Sequence, residues 1–224
     1  SHLTGIKTPP LRESLEEMKG VASMEQVIDK IAVLPMEGAP GTVFRYSNAG
    51  LQIAGAVIEK ISGKSFETLF AERLAQPMNM KNTDFGKGPV ALPAGGAAGT
   101  PQDYMNFLIM LLDKGVFNGR RILREESIRA MQIDRITPGV RVAYSPAEAG
   151  NFGYGLGEWV MDATPNYSEP ARLVSSPGLF GSFPWVDREK KYAGILFTFY
   201  LKNKGRNSRY KALLQQADQA IPRR

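Results

Sequence analysis

The chain has 224 residues, with 28 Lys and Arg against 22 Asp and Glu, for a formal net charge of +6. It has no cysteine and one histidine, His2, which excludes disulfides, thiol nucleophiles and cysteine-ligated metals and argues against an internal Ser-His-Asp triad or a His-rich metal site. No apolar run approaches the ~20 residues of a membrane span, no signal peptide is visible, and the densest basic run, Lys202 to Lys211, interleaves only Tyr210, too little aromatic surface for a nucleic-acid partner.

Thr8-Pro9-Pro10 is a break. Residues 11–34 read as one or two short helices, with Leu11, Leu15 and Met18, then Val27, Ile28, Ile31 and Leu34 at apolar positions. Residues 35–42 form a turn-rich loop that leads into Phe44-Arg45-Tyr46-Ser47-Asn48-Ala49-Gly50. From Gly50 the apolar positions Leu51, Ala54, Val57, Ile58 and Ile61 recur at helical spacing, and Gly63 is a natural stop. Ser65 caps a helix running through Ala75, which Pro77 ends. Residues 84–99 are a Gly/Ala/Pro-rich loop. Thr100-Pro101-Gln102-Asp103 then starts a helix carrying Tyr104, Phe107, Leu108, Leu111 and Leu112, closed by Gly115. Another helix is expected over Glu125 to Asp134.

Past residue 136 the character changes. Tyr154 to Asp162, Phe180 to Asp187 and Tyr192 to Tyr200 are strand-like, the last two joined through Asp187-Arg188-Glu189-Lys190. Asn207 to Ile221 is a closing helix. The expected class is α+β: a mostly helical subdomain over 1–135, then antiparallel strands and a C-terminal helix over 136–224.

Taken alone, Tyr46-Ser47-Asn48 reads as a helix cap, through Ser47 or Asn48, next to a core tyrosine. A tyrosine base needs a depressed pKa and hence a nearby cation, which the sequence alone does not show. A wider set of stretches changes the reading. In order these are Ser1-His2-Leu3-Thr4-Gly5-Ile6; Pro40-Gly41 with Phe44, Tyr46, Ser47 and Asn48; Ile58-Glu59-Lys60-Ile61-Ser62-Gly63-Lys64-Ser65-Phe66; Pro77-Met78-Asn79-Met80-Lys81-Asn82-Thr83; Gly119-Arg120-Arg121-Ile122-Leu123; Gly153-Tyr154-Gly155-Leu156-Gly157; and Gly178-Leu179-Phe180-Gly181-Ser182. This colinear set resembles the serine β-lactamase and penicillin-binding-protein superfamily, in particular the branch of class C β-lactamases, D-alanyl-D-alanine peptidases and related esterases.

The resemblance implies three site elements. The first is Ser-x-x-Lys, the acylated nucleophile and its activating lysine. The second is Tyr-x-Asn, matched by Tyr46 as base or proton shuttle and Asn48 as positioner of the substrate amide and the lysine. The third is a Lys- or His-Thr/Gly-Gly triplet, matched by Ser176-Pro177-Gly178, after which the Leu179 N–H would serve the oxyanion hole. Two departures follow. Ser176 offers no cation to grip a substrate carboxylate, and Pro177 removes a hydroxyl and an N–H. The only Ser-x-x-Lys match, Ser208-Arg209-Tyr210-Lys211, sits in the closing helix, downstream of Tyr46, whereas the family places the motif upstream. The nucleophile, its helix and the first strands are therefore expected on an N-terminal segment of the same protein that precedes Ser1.

The function expected from the resemblance is a serine hydrolase acting on a small-molecule or peptide ester or amide, with an esterase or peptidase favoured over an efficient β-lactamase. No cofactor and no metal are implied, and the family is mostly periplasmic or extracellular. The alternative is a relative without catalysis that keeps the fold as a binding module.

Overall fold

The computed structural model describes residues 1–10, 13, 20–86, 88, 90–162, 166–201 and 204–221. The expected helix through Leu11, Leu15 and Met18 and residue Lys202 of the basic run lie outside them. The chain forms two compact units, residues 1–103 with 138–145 and residues 104–137 with 146–224.

In the first unit the N-terminal segment runs beside residues 35–45. Lys7 N–H donates to Pro35 O, Glu37 N–H to Gly5 O, Gly41 N–H to Leu3 O and Arg45 N–H to His2 O. This lacing seats His2 against β1 (Val43–Arg45), which pairs in parallel with β4 (Arg141–Tyr144). Helix α1 (Met24–Ala32) begins where the Ser23 hydroxyl accepts the Gln26 N–H, and it buries Met24, Val27 and Ile31. These residues and α2 (Ala49–Ser62) share an apolar cluster of Val21, Val27, Ile31 and Ala49.

Helix α2 ends at Gly63, in the left-handed region at φ 67°, whose N–H returns to Glu59 O. Its orientation differs from the expected one. The buried face is Ala49, Gln52 and Gly55, while Val57, Ile58 and Ile61 are exposed. Gln52 Nε2 reaches Ala91 O at 2.9 Å, and a Cβ at Gly55 would lie 2.6 Å from Pro93. The small and polar face thus admits the 90–93 loop, and close backbone approach overrides the apolar stripe.

Helix α3 (Phe66–Phe70) starts on the Ser65 hydroxyl, which accepts the Thr68 N–H, and continues as a π-helical turn over Ala71–Ala75. Helix α4 (Pro101–Leu112) begins as expected, with the Asp103 N–H on Thr100 Oγ1. The Asp103 carboxylate takes the Asn82 N–H at 2.7 Å and the Thr83 hydroxyl at 3.0 Å.

In the second unit, β2 (Val116–Phe117) and β3 (Arg120–Arg121) form a hairpin. Its turn residues Asn118 and Gly119 both have positive φ, the primed geometry that Asn-Gly favours. Helix α5 (Glu125–Met131) is shorter than the expected Glu125 to Asp134. The chain leaves the helix because Leu156 N–H takes Met131 O and Asp134 turns back to accept the N–H groups of Ile136 and Tyr154. The main sheet is an antiparallel meander ordered β5 (Gly153–Tyr154), β6 (Trp159–Val160), β7 (Leu173–Ser175), β8 (Phe183–Asp187) and β9 (Tyr192–Leu196).

The expected strand from Tyr154 to Asp162 is thus two strands, because Gly155 N–H folds back to Glu158 O. The expected strands from Phe180 and to Tyr200 are shortened by a loop over 178–182. Helix α6 (Arg206–Ala220) packs Tyr210 and Leu214 on Leu173, Phe183 and Trp185, with the Tyr210 and Phe183 rings stacked at 4.1 Å. The architecture is the mixed helix and antiparallel-sheet class expected. No described helix is long and apolar enough to cross a membrane.

Candidate functional site

The first group of candidate residues lies in the first unit, at the junction of β1 and α2. Val43 and Phe44 anchor this junction, Phe44 being fully buried. Tyr46 follows the strand directly, and its N–H donates to Tyr144 O at 3.0 Å. The His2 ring lies 4.4 Å from the Tyr46 ring and meets Phe44 edge-on at 5.9 Å. His2 Nδ1 accepts the Ser47 N–H at 3.3 Å. A half-buried backbone turn at Ser47 is thereby fixed by an imidazole 45 residues away, a role that His2 does not announce in the sequence.

Asn48 is the N-cap residue of α2, and its carbonyl accepts the Gln52 N–H. Its side chain makes no capping bond, and its own backbone is already helical at φ −73° and ψ −23°. Ser47 does not cap the helix either, so the expected side-chain cap is absent. The Asn48 amide makes no hydrogen bond among the described residues, which leaves its donors and acceptor for another group.

The electrostatics around Tyr46 favour a neutral phenol. Burial, with Tyr144 adding to it, pushes its pKa above the ordinary value. Burial lowers His2 to about 4, so the imidazole is neutral near pH 7. The neighbouring Arg45 is engaged by Glu37 through Nε and Nη2 at 2.5 and 2.8 Å.

The second group lies in the second unit, past the end of β7. Ser175 is the last residue of that strand, paired to both β6 and β8, with its hydroxyl on Pro184 O. Ser176 is exposed and Pro177 half-buried. Pro177 therefore follows the end of a central strand, not an edge strand, and its missing N–H removes no ladder bond. Gly178 N–H donates to Ser182 O at 2.9 Å, and Gly181 N–H to Gly178 O at 3.0 Å. No peptide bond here is cis, and in a trans peptide the carbonyl and N–H point in opposite directions. With the Gly178 carbonyl turned into the loop, the Leu179 N–H points out of it. It meets no acceptor among the described residues.

Ser208 and Lys211 of the downstream Ser-x-x-Lys match are exposed residues within α6. Among the described residues no group of three His, Asp or Glu side chains is placed to hold a metal ion.

The family model described as Beta-lactamase matches residues 1–218. The chain belongs to the β-lactamase family. A β-lactamase-like protein of Bacteroides dorei superposes with a TM-score of 0.80 at 29% identity, covering 99% of this chain and 70% of its own. Protein Rv1367c of Mycobacterium tuberculosis is 28% identical over 190 residues, 69% of this chain and 46% of that protein. The D-alanyl-D-alanine-carboxypeptidase/endopeptidase AmpH of Escherichia coli is 24% identical over 113 residues, 42% of this chain and 29% of that protein. The chain thus spans half or less of the length of these two curated relatives. That family is one of β-lactamase and penicillin-binding-protein-like hydrolases.

Proposed function

We propose that the full-length protein is a serine hydrolase that forms and hydrolyses an acyl-serine, with its nucleophile outside the 224 residues of this chain. The observation that carries the reading is the pair Tyr46 and Asn48. The tyrosine is held by a backbone bond and an imidazole, and two residues on an asparagine amide is left uncommitted at a helix start. Tyr46 acts as a proton shuttle: its raised pKa keeps the hydroxyl protonated until a cation is brought to it. Asn48 orients the substrate amide or ester carbonyl. The Leu179 N–H donates to the developing oxyanion.

Ser176 stands where the related enzymes carry a cation, so a substrate carboxylate gains no charge-assisted bond there. The favoured substrates are esters or peptides lacking that requirement, ahead of β-lactams. The name of the AmpH relative agrees with a peptidase. The test is covalent labelling of the full-length protein with a fluorophosphonate and with a fluorescent penicillin, followed by mapping of the modified residue. Labelling of a serine upstream of His2 by the fluorophosphonate is expected. Absence of labelling by both reagents sinks the hydrolase and leaves a binding module.

A further inference from the structure

Arg206 opens α6 and is 5% exposed. Its Nη1 donates to Leu179 O at 3.1 Å and its Nη2 to Tyr200 O at 2.7 Å. Its Nε meets no acceptor, and no carboxylate pairs with it among the described residues. Each feature of this placement disfavours an arginine. A buried charge loses its hydration, a guanidinium without a carboxylate lacks its best partner, and the first turn of a helix is the positive end of its dipole. What the side chain does make is two bonds to loop carbonyls.

Those carbonyls belong to the loop that presents the Leu179 N–H. Tyr200 N–H donates back to Phe180 O at 2.6 Å. One turn along α6 from Arg206, the Tyr210 hydroxyl donates to Gly181 O at 2.8 Å. A single helix face thus holds the loop at residues 179 and 181 and the segment past β9 at residue 200. Gly181, at φ +96°, would carry a Cβ 2.8 Å from Thr198 Oγ1 and 3.1 Å from Tyr200 O, so the two limbs are in close contact.

We infer that Arg206 is a positioning residue for the Leu179 N–H, fixing the loop from behind and placing its charge there. The inference rests on the hydrolase reading above. By taking the Leu179 carbonyl it sets the torsion at Leu179, while the Gly178 carbonyl bond to Gly181 sets the peptide that carries the N–H. The guanidinium lies within about 7 Å of that N–H, given ordinary backbone dimensions. Gly178, Leu179 and Phe180 are exposed, so water screens part of that charge and the main effect of the guanidinium is to hold the loop in place. Ser176 supplies no cation, and Arg206 places one on the buried side of the loop.

The experiment compares wild type, R206K, R206M and Y210F of the full-length protein on p-nitrophenyl esters. Rates are expressed per site titrated with fluorophosphonate, so that a smaller folded fraction does not mimic a slower site. R206M is expected to lower kcat about 100-fold, the order seen when a catalytic group is misplaced, with KM changed little. R206K is expected between the two, and Y210F, which keeps its ring on Phe183, to lower kcat by a smaller factor. Wild-type kcat per titrated site in R206M overturns the inference. If R206M does not fold, wild-type kcat in both R206K and Y210F overturns it. A wild type that neither turns over esters nor takes fluorophosphonate overturns the hydrolase reading and this one together, whereas an active wild type with unaffected variants overturns this one alone.

Discussion

The His2 imidazole lies against the Tyr46 phenol with ring centroids 4.4 Å apart and planes tilted by 48°, and its Nδ1 receives the N–H of the next residue, Ser47. A ring so placed must be neutral to accept that bond, and burial lowers its pKa from 6.5 to about 4. Above pH 6.5 both folded and unfolded states hold a neutral His2. Between 6.5 and about 4 the unfolded chain binds a proton that the folded state refuses, so stability falls with pH, by about 3 kcal/mol over the whole window. His2→Asn keeps an acceptor for Ser47 but does not titrate. The urea midpoint of His2→Asn, taken relative to wild type at the same pH, is expected to be higher at pH 5 than at pH 7.5, and a difference between the two proteins that stays constant overturns the assignment.

Tyr46→Phe keeps the ring that packs on His2 and removes the hydroxyl. The full-length variant is expected to melt within a few degrees of wild type and to lose about 10²–10⁴-fold in kcat/KM for its ester substrate, the range for losing a proton-transfer group. Wild-type turnover in a folded Tyr46→Phe protein removes Tyr46 from the mechanism.

Phe44 supports this junction from below. It is completely buried and lies edge-on to His2, so Phe44→Ala opens a cavity under both His2 and the strand that leads to Tyr46. The expected loss is about 3–5 kcal/mol, read as a lower urea midpoint. A loss below about 1 kcal/mol means that the junction collapses to fill the space.

Much of this architecture was legible in the sequence where local chemistry decides it. Ser65, Thr100 with Pro101, and Gly63 mark helix ends because caps and left-handed stops are set by a few neighbouring atoms. The segments that were misread depend on distant partners. The stripe of Val57, Ile58 and Ile61 has helical spacing, but Gly55 and Gln52 meet Pro93 and Ala91, and that approach decides which side is buried. β1 and β4 are short, and their parallel pairing joins residues about 98 apart, so no local turn signals it. Of the candidate site, Tyr46 and Asn48 stood out through resemblance. His2 and Arg206 did not, because an arginine bonded to two carbonyls leaves no sequence pattern of its own.

Glu158 carries a pH dependence of the opposite sign to His2. It is 6% exposed, at the turn where Gly155 N–H folds onto its own carbonyl. Its Oε2 and both amide atoms of the buried Gln132 meet no hydrogen-bond partner among the described residues. Burial raises its pKa from 4.5 to about 7. Burial, with Glu158 adding to it, also keeps the Tyr104 hydroxyl protonated. The folded state therefore holds a proton on Glu158 that the unfolded chain releases between pH 4.5 and 7. The stability this carboxyl contributes is full below 4.5 and is lost as pH rises, to a total of about 3 kcal/mol. Glu158→Gln holds a neutral group of the same shape at every pH. Its urea midpoint is expected to exceed that of wild type at pH 8 by more than at pH 5. A difference between the two proteins that stays constant across that range rules out a buried, protonated Glu158.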